Sequence, residues 1–565
     1  MIDLHVHSTR SDGTYSPREL VDYAIEKGLR AMALTDHDSI DGLDEAIHYA
    51  EQLRYLQSSS TGASVPAHVP EIIPGIEFST EYQGRDIHIV GLYIDYKQPA
   101  FTQALQNFVN SRELRNEKMC GLLREHGIDI TYEKLCAAFP DAVITRAHYA
   151  RYLLEHGYVG SINEAFDRYV GDHASCFVPR EKVTPTQAVE LILQADGIPI
   201  LAHPMLYGIS SARLETLVVE LKAVGLLGIE AIYNNHSAGD ERQLRRLAAK
   251  YHLLISGGSD FHGSNKPKLD LGVGYGKLYV PDDILEDIQA CRKNLLFTDM
   301  DGTLLLNNST VSPNMKNALN RMTTAGHHLI LSSGRPLPSI LEVRKQAGID
   351  YPNMLIISSN GALVYDCDNK RPILEYRIDP EDIKYIIATA EATGIHIHGY
   401  TSKTIVCHEM NEELCYYTRR IHMPLQCVEN IAAALPNGSY KLLAIHLTDK
   451  ERLVQLREQL LADKSRKLKE RVQMIFSNDQ YLEILPLSAG KGNALRFVTD
   501  YLPAPRSHTF AAGDAENDIS MLKAAQYGIA MANADASVKA CADIVTGNTN
   551  DEDGLLEILN KYFVQ

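Results

Sequence analysis

Two sets of residues in this chain have the types and spacing that chemistry needs. The first is built from imidazoles and carboxylates. His5 and His7 stand two apart in MIDLHVH, with Asp12 shortly after. Asp36 and His37 lie in TDHD, Glu77 in PGIEFS, His88 in DIHIVG, His203 in PILAHP, and Asp260 and His262 in GGSDFH. Residues two apart in a strand leave the same face, so one strand can offer two imidazoles to one ion. Mixed nitrogen and oxygen donors suit manganese, zinc or iron. Ions a few ångströms apart can hold a bridging hydroxide and neutralise a phosphoryl group under attack.

The second set is richer in carboxylates. Asp299 and Asp301 sit in LLFTDMDGTLL. One carboxylate can attack phosphorus and form an aspartyl phosphate. Another, two residues on, can protonate the leaving oxygen and then activate water. Gly302 lets the backbone turn toward the phosphate and Thr303 supplies donors. In SSGRP, Ser333 is placed to bind phosphate, with Gly334 and Arg335 beside it on the substrate side. Lys491 in SAGKGNAL can neutralise both phosphate and nucleophile. Asp514 and Asp518 in GDAENDISML, with Asn517 between them, complete a hard-oxygen set with Asp299 and Asp301 that suits magnesium.

A lone strand histidine is more often a hydrogen-bonded core residue than a ligand. His396 and His398 in GIHIHG have no such partners recurring around them and are read as structural. The first set differs because its members recur at the ends or edges of successive strands.

Those strands must position the two sets. Residues 1 to about 290 alternate short apolar runs with amphipathic stretches, which predicts a parallel β/α sheet or barrel. Ser16 and Pro17 open a helix to Lys27. The mostly helical stretch from about 100 to 195 interrupts this rhythm and reads as an insertion over the site. A second β/α series starts at Leu295, with HLILSSGR, NMLIISSNG, HTFAAGD and YGIAMAN as strands. Only Arg292 to Asn294 separate the halves.

Composition narrows the class. Lys+Arg 55 against Asp+Glu 72 gives a net charge of −17, which argues against a general nucleic-acid or membrane-surface binder. Hydrophobic residues at 45% and charged residues at 22% exclude a disordered or fibrous chain. Fourteen of the 22 histidines precede residue 294, so imidazole chemistry concentrates in the first half. Nine scattered cysteines with no Cys-x-x-Cys pair fit a reducing compartment. No leader pattern and no membrane-length apolar run is visible, so the expectation is a cytoplasmic protein without membrane contact. Oligomeric state has no signature.

The motifs DLHVHSTRSDG, LTDHD, GIEFS, DIHIVG, LAHP and GSDFHG together resemble the PHP (polymerase and histidinol phosphatase) family over nearly the whole first half. The resemblance implies a distorted β/α barrel with a metal cluster at its C-terminal mouth, over residues 1–290. One metal would take His5, His7, Glu77 and Asp260. A second would take Asp12, His37 and His262. A third would take His88, His203 and the bridging Glu77. Asp36 would orient His37 or act behind the ligands. TRAH, INEAFDRYVG and FVPRE further resemble the bacterial branch that removes phosphate from nucleoside 3′,5′-bisphosphates or trims short RNA. Arg146, His148 and Arg180 come from those motifs, and the first two would grip the substrate phosphate. Some members have proline where this chain has Ala147.

The second half, 294–565, resembles the Cof-like phosphatases of the haloacid dehalogenase (HAD) superfamily, with SSNGALV, AMANA and DEDGLLEIL adding to its four motifs. This implies a Rossmann-like core with its site at the strand ends. About 32 positions separate Asp301 from Ser333, too few for a lid. The longer stretch from Arg335 to Lys491 has room for an α+β cap, near 378–485. The resulting expectation is an α/β chain with two phosphatase sites: one acting on nucleoside 3′,5′-bisphosphates, the other on small phosphometabolites such as sugar phosphates or a phosphorylated cofactor. The alternatives are a 5′–3′ exonuclease on short RNA in the first half, or one half that binds a metabolite without turnover.

Overall fold

A computed structural model describes residues 1–59, 66, 68–140, 144–171, 174–178, 183–421 and 423–564. Arg180 lies outside them. The chain divides into two units, Met1–Cys291 and Arg292–Gln565. Among the described residues no helix is long and apolar enough to cross a membrane.

In the first unit seven strands lie side by side in chain order: β1 (Ile2–Val6), β2 (Ala31–Leu34), β3 (Glu71–Tyr82), β4 (Arg85–Leu92), β5 (Ile198–Leu201), β6 (Gly228–Tyr233) and β7 (Leu254–Gly258). Beyond β7, Asp260 N–H donates to His5 O at 2.8 Å and His7 N–H to Phe261 O at 3.0 Å, which brings the last strand back to the first. The sheet is therefore barrel-like. Ile2, Leu4 and Val6 of β1 alternate with Asp3, His5 and His7, so the polar face of this strand is aimed at the site. Helix Pro17–Glu26 carries the expected Ser16 cap, closed as a capping box with Glu19.

One expectation is corrected. β4 runs antiparallel to both β3 and β5, not parallel. Gln83 and Gly84 both have positive φ (52° and 76°), which makes a two-residue hairpin and fixes the reversal. The helical insertion also differs in extent. Its own core joins Met119, Leu123, Tyr149, Leu153 and Val170, whereas helix Pro185–Gln194 places Val189 and Ile192 in the barrel core. The helix belongs to the barrel, because its apolar stripe covers β3, β4 and β5.

The second unit contains β8 (Leu295–Thr298), β9 (His328–Ser332), β10 (Leu355–Ser358), β11 (Leu363–Asp366), β12 (Arg371–Glu375), β13 (His396–Tyr400), β14 (Ile405–Cys407), β15 (Leu425–Cys427), β16 (Leu442–Ile445), β17 (Val472–Asn478), β18 (Tyr481–Pro486), β19 (Thr509–Gly513), β20 (Tyr527–Ala530) and β21 (Ile544–Val545). The core sheet is ordered β12-β11-β10-β9-β8-β19-β20-β21. The chain builds outward from β8 through β9 to β10, then returns to pair β19 on the other side of β8. That reversal is a topological switch point, where doubly wound sheets open a crevice at the strand ends. The cap, inserted between β12 and β19, is a six-stranded sheet ordered β15-β14-β13-β16-β18-β17. Helices Pro380–Ala392 and Lys450–Ala462 pack on one face of it and helix Glu412–Thr418 on the other.

Candidate active sites

Nine of the ten first-set residues, all but Asp36, converge at the strand ends of the barrel. Glu77 is the centre, 1% exposed. Its Oε2 lies 3.1 Å from His5 Nε2, 3.2 Å from His7 Nε2 and 3.1 Å from His37 Nδ1. Its Oε1 lies 2.8 Å from His88 Nδ1 and 3.1 Å from His203 Nε2. Asp260 Oδ1 is 3.3 Å from His7 Nε2, and Asp12 Oδ1 is 3.2 Å from His262 Nε2. The fit to cations rests on polar atoms left over. Glu77 Oε2, His5 Nε2, His7 Nε2 and His203 Nδ1 are buried without a hydrogen bond, although three nitrogens surround that oxygen. Buried polar atoms are normally bonded, so lone pairs facing one another without hydrogen bonds suit an ion.

The grouping differs from the expected one. His7 joins Asp12, His37 and His262 as well as His5 and Asp260. His5 groups with Glu77 and His203, and His37 with Glu77 and His88. Burial alone would drive the His7 imidazole down, but Asp260 and Glu77 hold it up at about 9. Burial wins at His37, pushed down to about 4.

Asp36 does not orient His37. It accepts from Ser8 N–H at 2.7 Å, Ser8 Oγ at 2.6 Å and Ser11 Oγ at 2.6 Å, and so pins the loop that carries Asp12. Sequence reading missed the residues that orient the ligands. Glu230 lies 3.1 Å from His5 Nδ1 and accepts His203 N–H at 2.7 Å. A bond to the far nitrogen leaves His5 Nε2 as the free lone pair. Tyr233 and Lys266 bond Asp260 Oδ2 at 2.8 and 2.7 Å. The available signal for Glu230 was a carboxylate within GIEAIY, a strand buried at every position. His203 (φ 27°) and Asp260 (φ 53°) hold left-handed backbone, strain that gathers at functional sites.

A cavity of about 740 Å³ opens above this cluster, lined by His148, Arg151 and Lys266 among others. His148 reaches it from helix Arg146–Glu155. Arg146 does not line it, since its guanidinium lies 5.6 Å over the Phe177 ring. Arg151, one helical turn on from His148, faces the cavity instead.

The second site forms at the switch point. Lys491 Nζ donates to Asp299 Oδ1 and to Asp518 Oδ1, both at 2.6 Å, and to Ser332 O at 3.2 Å. Asp299, Asp514 and Asp518 could hold one ion together. Burial pushes the Asp299 carboxyl well up, Lys491 opposes that, and Asp518 and Asp514 add to it. Burial likewise lifts Asp514 to about 6. Three carboxylates against one lysine leave negative charge unmatched, which fits a hard divalent cation. Thr303 Oγ1 donates to Asp514 Oδ1 at 2.8 Å. Gly302 has φ +81°, and a Cβ there would meet Asp514 Oδ2 at 2.4 Å, so both conformation and space require glycine.

Asp301 does not group with these three carboxylates. Arg335 takes it in a fork, Nε to Oδ2 at 2.6 Å and Nη2 to Oδ1 at 2.7 Å, which engages both of its oxygens. Arg335 Nη1 also donates to Arg420 O of the cap at 3.1 Å. Ser333 is buried beside it, its Oγ accepting Arg335 N–H at 3.2 Å. Asn517 donates to Asn360, Asn360 donates to Glu483 of the cap, and Lys441 joins Glu483 to Gly334 O. Asn360 lies in the SSNGALV motif without a role assigned from sequence, and Lys441 and Glu483 carry no motif spacing.

Comparison with known proteins follows this division. Residues 3–177 match the model of the PHP domain, and residues 296–559 match that of haloacid dehalogenase-like hydrolases. A 5′-3′ exoribonuclease of Haemophilus influenzae is 40% identical over 260 residues, 46% of this chain and 89% of that protein. A 3′,5′-nucleoside bisphosphate phosphatase of Chromobacterium violaceum is 31% identical over 272 residues, 48% of this chain and 90% of its own. The crystal structure of a haloacid dehalogenase-like hydrolase from Bacteroides thetaiotaomicron is 26% identical, covering 48% of this chain and 100% of its own, with a TM-score of 0.45.

Proposed function

Because the chain belongs to the PHP family through its first half and to the haloacid dehalogenase-like hydrolases through its second, we propose that it carries two phosphoester hydrolases, at 1–290 and 294–565. The observation that supports the first is Glu77 Oε2, buried among three imidazole nitrogens with no hydrogen bond. His5, His7, Asp12, His37, His88, His203, Asp260 and His262 would hold two or three manganese, zinc or iron ions around it. When bound, these ions supply Lewis acidity and activated water near neutral pH. His148 and Arg151 bind the substrate phosphate from the cavity wall, and Glu230 keeps the His5 tautomer fixed. The substrate favoured is a nucleoside 3′,5′-bisphosphate, the compound for which the Chromobacterium relative is named. Short RNA is the second reading, favoured by the name of the Haemophilus relative.

In the second half, Asp299 attacks phosphorus and forms the aspartyl phosphate. Asp301 gives its proton to the leaving oxygen, then takes one from the water that cleaves the intermediate. Lys491 and Ser333 hold the nucleophile and the phosphoryl group, with Thr303, Gly334 and Asn517 around them. Magnesium at Asp299, Asp514 and Asp518 supplies charge neutralisation when bound. The substrate is a small phosphorylated metabolite enclosed by the cap. Nine free cysteines support a cytoplasmic setting.

The test is phosphate release from adenosine 3′,5′-bisphosphate with manganese. The expected result is turnover that survives Asp299→Asn and is lost in His7→Ala. Turnover of a labelled pentanucleotide but not of the bisphosphate would replace the first reading with the second.

A further inference from the structure

One face of the cap carries a hydrogen-bonded chain that the mechanism above does not use. His396, His398 and Tyr400 are alternate residues of β13 and stand on one face. Asn411 Nδ2 lies 3.0 Å from His396 Nδ1. His396 Nε2 lies 3.0 Å from His398 Nδ1, and His398 Nε2 lies 2.8 Å from Tyr400 Oη. Tyr400 Oη then donates to Tyr417 Oη at 2.7 Å. His398 is 0% exposed, and both tyrosines are buried.

Every proton in this chain can be assigned. Asn411 Oδ1 accepts Leu414 N–H as the cap of helix Glu412–Thr418, so its amide nitrogen must be the group facing His396. Burial holds both imidazoles far below their ordinary range, His396 at about 4, so each is neutral with one donor and one acceptor nitrogen. Asn411 donates into His396 Nδ1, which forces the proton onto His396 Nε2. That proton meets His398 Nδ1 and forces the next onto His398 Nε2. Tyr400 accepts it and donates to Tyr417. The Tyr417 proton is the one left over, and a run of aligned bonds polarises the last hydroxyl. Among the described residues no acceptor takes it.

The end of the chain lies beside the second active site. Three residues beyond Tyr417, Arg420 O accepts from Arg335, which grips Asp301. Lys441 Nζ sits 5.3 Å from the Tyr400 ring centre and 2.9 Å from Gly334 O. The core already supplies the donors for the phosphoryl group, so a cap donor is left for the organic part of the ester.

We propose that Tyr417 is the cap's hydrogen-bond donor to an acceptor oxygen on the leaving group of the second-half substrate. His396, His398, Tyr400 and Asn411 are positioning residues that orient its proton. This rests on the phosphatase reading of that half.

The experiment is steady-state phosphate release with magnesium by the full chain carrying His7→Ala, on ribose 5-phosphate, glucose 6-phosphate and pyridoxal 5′-phosphate. Adding Tyr417→Phe should raise KM about tenfold, the size of one hydrogen bond, with kcat changed by less than about twofold. His398→Leu should reproduce that rise. His398→Gln, which retains a donor for Tyr400, should recover most of it, a rescue that a packing role would not produce. If Tyr417→Phe keeps the parent KM on every probe turned over, the inference falls alone. If no probe shows turnover that Asp299→Asn abolishes, the phosphatase reading falls and takes the inference with it.

Discussion

Glu77 and Asp299 are both buried carboxylates, neutralised by different means. Around Glu77 the partners are imidazoles, which are cations only when protonated; the acids hold His5 and His7 above their ordinary range. A metal ion binding there displaces those protons. Around Asp299 the protein supplies its own fixed cation, Lys491, bonded to two of the three carboxylates. The first site therefore recruits its charge from solution, and the second carries part of its neutralising charge within the fold.

The largest expected effect tests that contrast directly. Dialysis against a chelator should lower bisphosphate turnover by the Asp299→Asn variant by about a thousandfold or more, and manganese, not magnesium, should restore it. Metal content by mass spectrometry accompanies the rates. Full recovery of bisphosphate turnover with magnesium alone would break the contrast. Next, Lys491→Met should cost about 3–5 kcal/mol, because it strands Asp299 and Asp518 as buried charges. An unshifted urea midpoint for the second half would show that neutralisation there is not internal.

Acid should weaken the cap. His396 is held to about 4 by burial, against an ordinary 6.5. Between those values the unfolded chain takes up a proton that the folded chain refuses. Stability is therefore full above about pH 7, falls as pH drops through the window, and levels off below it. At about 1.4 kcal/mol per unit, His396 alone accounts for roughly 3–4 kcal/mol. Hydrogen exchange in β13 and β16, compared with β8, reads the loss. The smallest effect is Glu230→Gln, expected to weaken metal binding by about 10- to 100-fold through loss of the His5 tautomer. Titration with manganese checks it, and unchanged affinity would remove Glu230 from the site.

The ligand set was legible because chemistry-bearing residues at strand ends recur at regular intervals along the chain. Glu230 was not, since a single carboxylate in an apolar strand carries no spacing. The reversal of β4 was written in Gln83-Gly84, but strands rich in Val, Ile and Leu look alike in either direction. Arg335 was readable as a phosphate-side arginine, yet its side-chain direction depends on Arg420, 85 positions away. The network of Asn360, Lys441 and Glu483 exists only once core and cap meet.

The fork that Arg335 lays across Asp301 has a consequence for timing. While it holds, both oxygens of the acid are engaged and the same guanidinium is tied to the cap backbone. On the proposed mechanism, proton delivery by Asp301 waits on a movement that opens this fork. The arginine acts as a safety catch: in an empty site both oxygens of the Asp301 carboxylate stay engaged by the guanidinium, and an arriving anionic ester competes for the group that holds them.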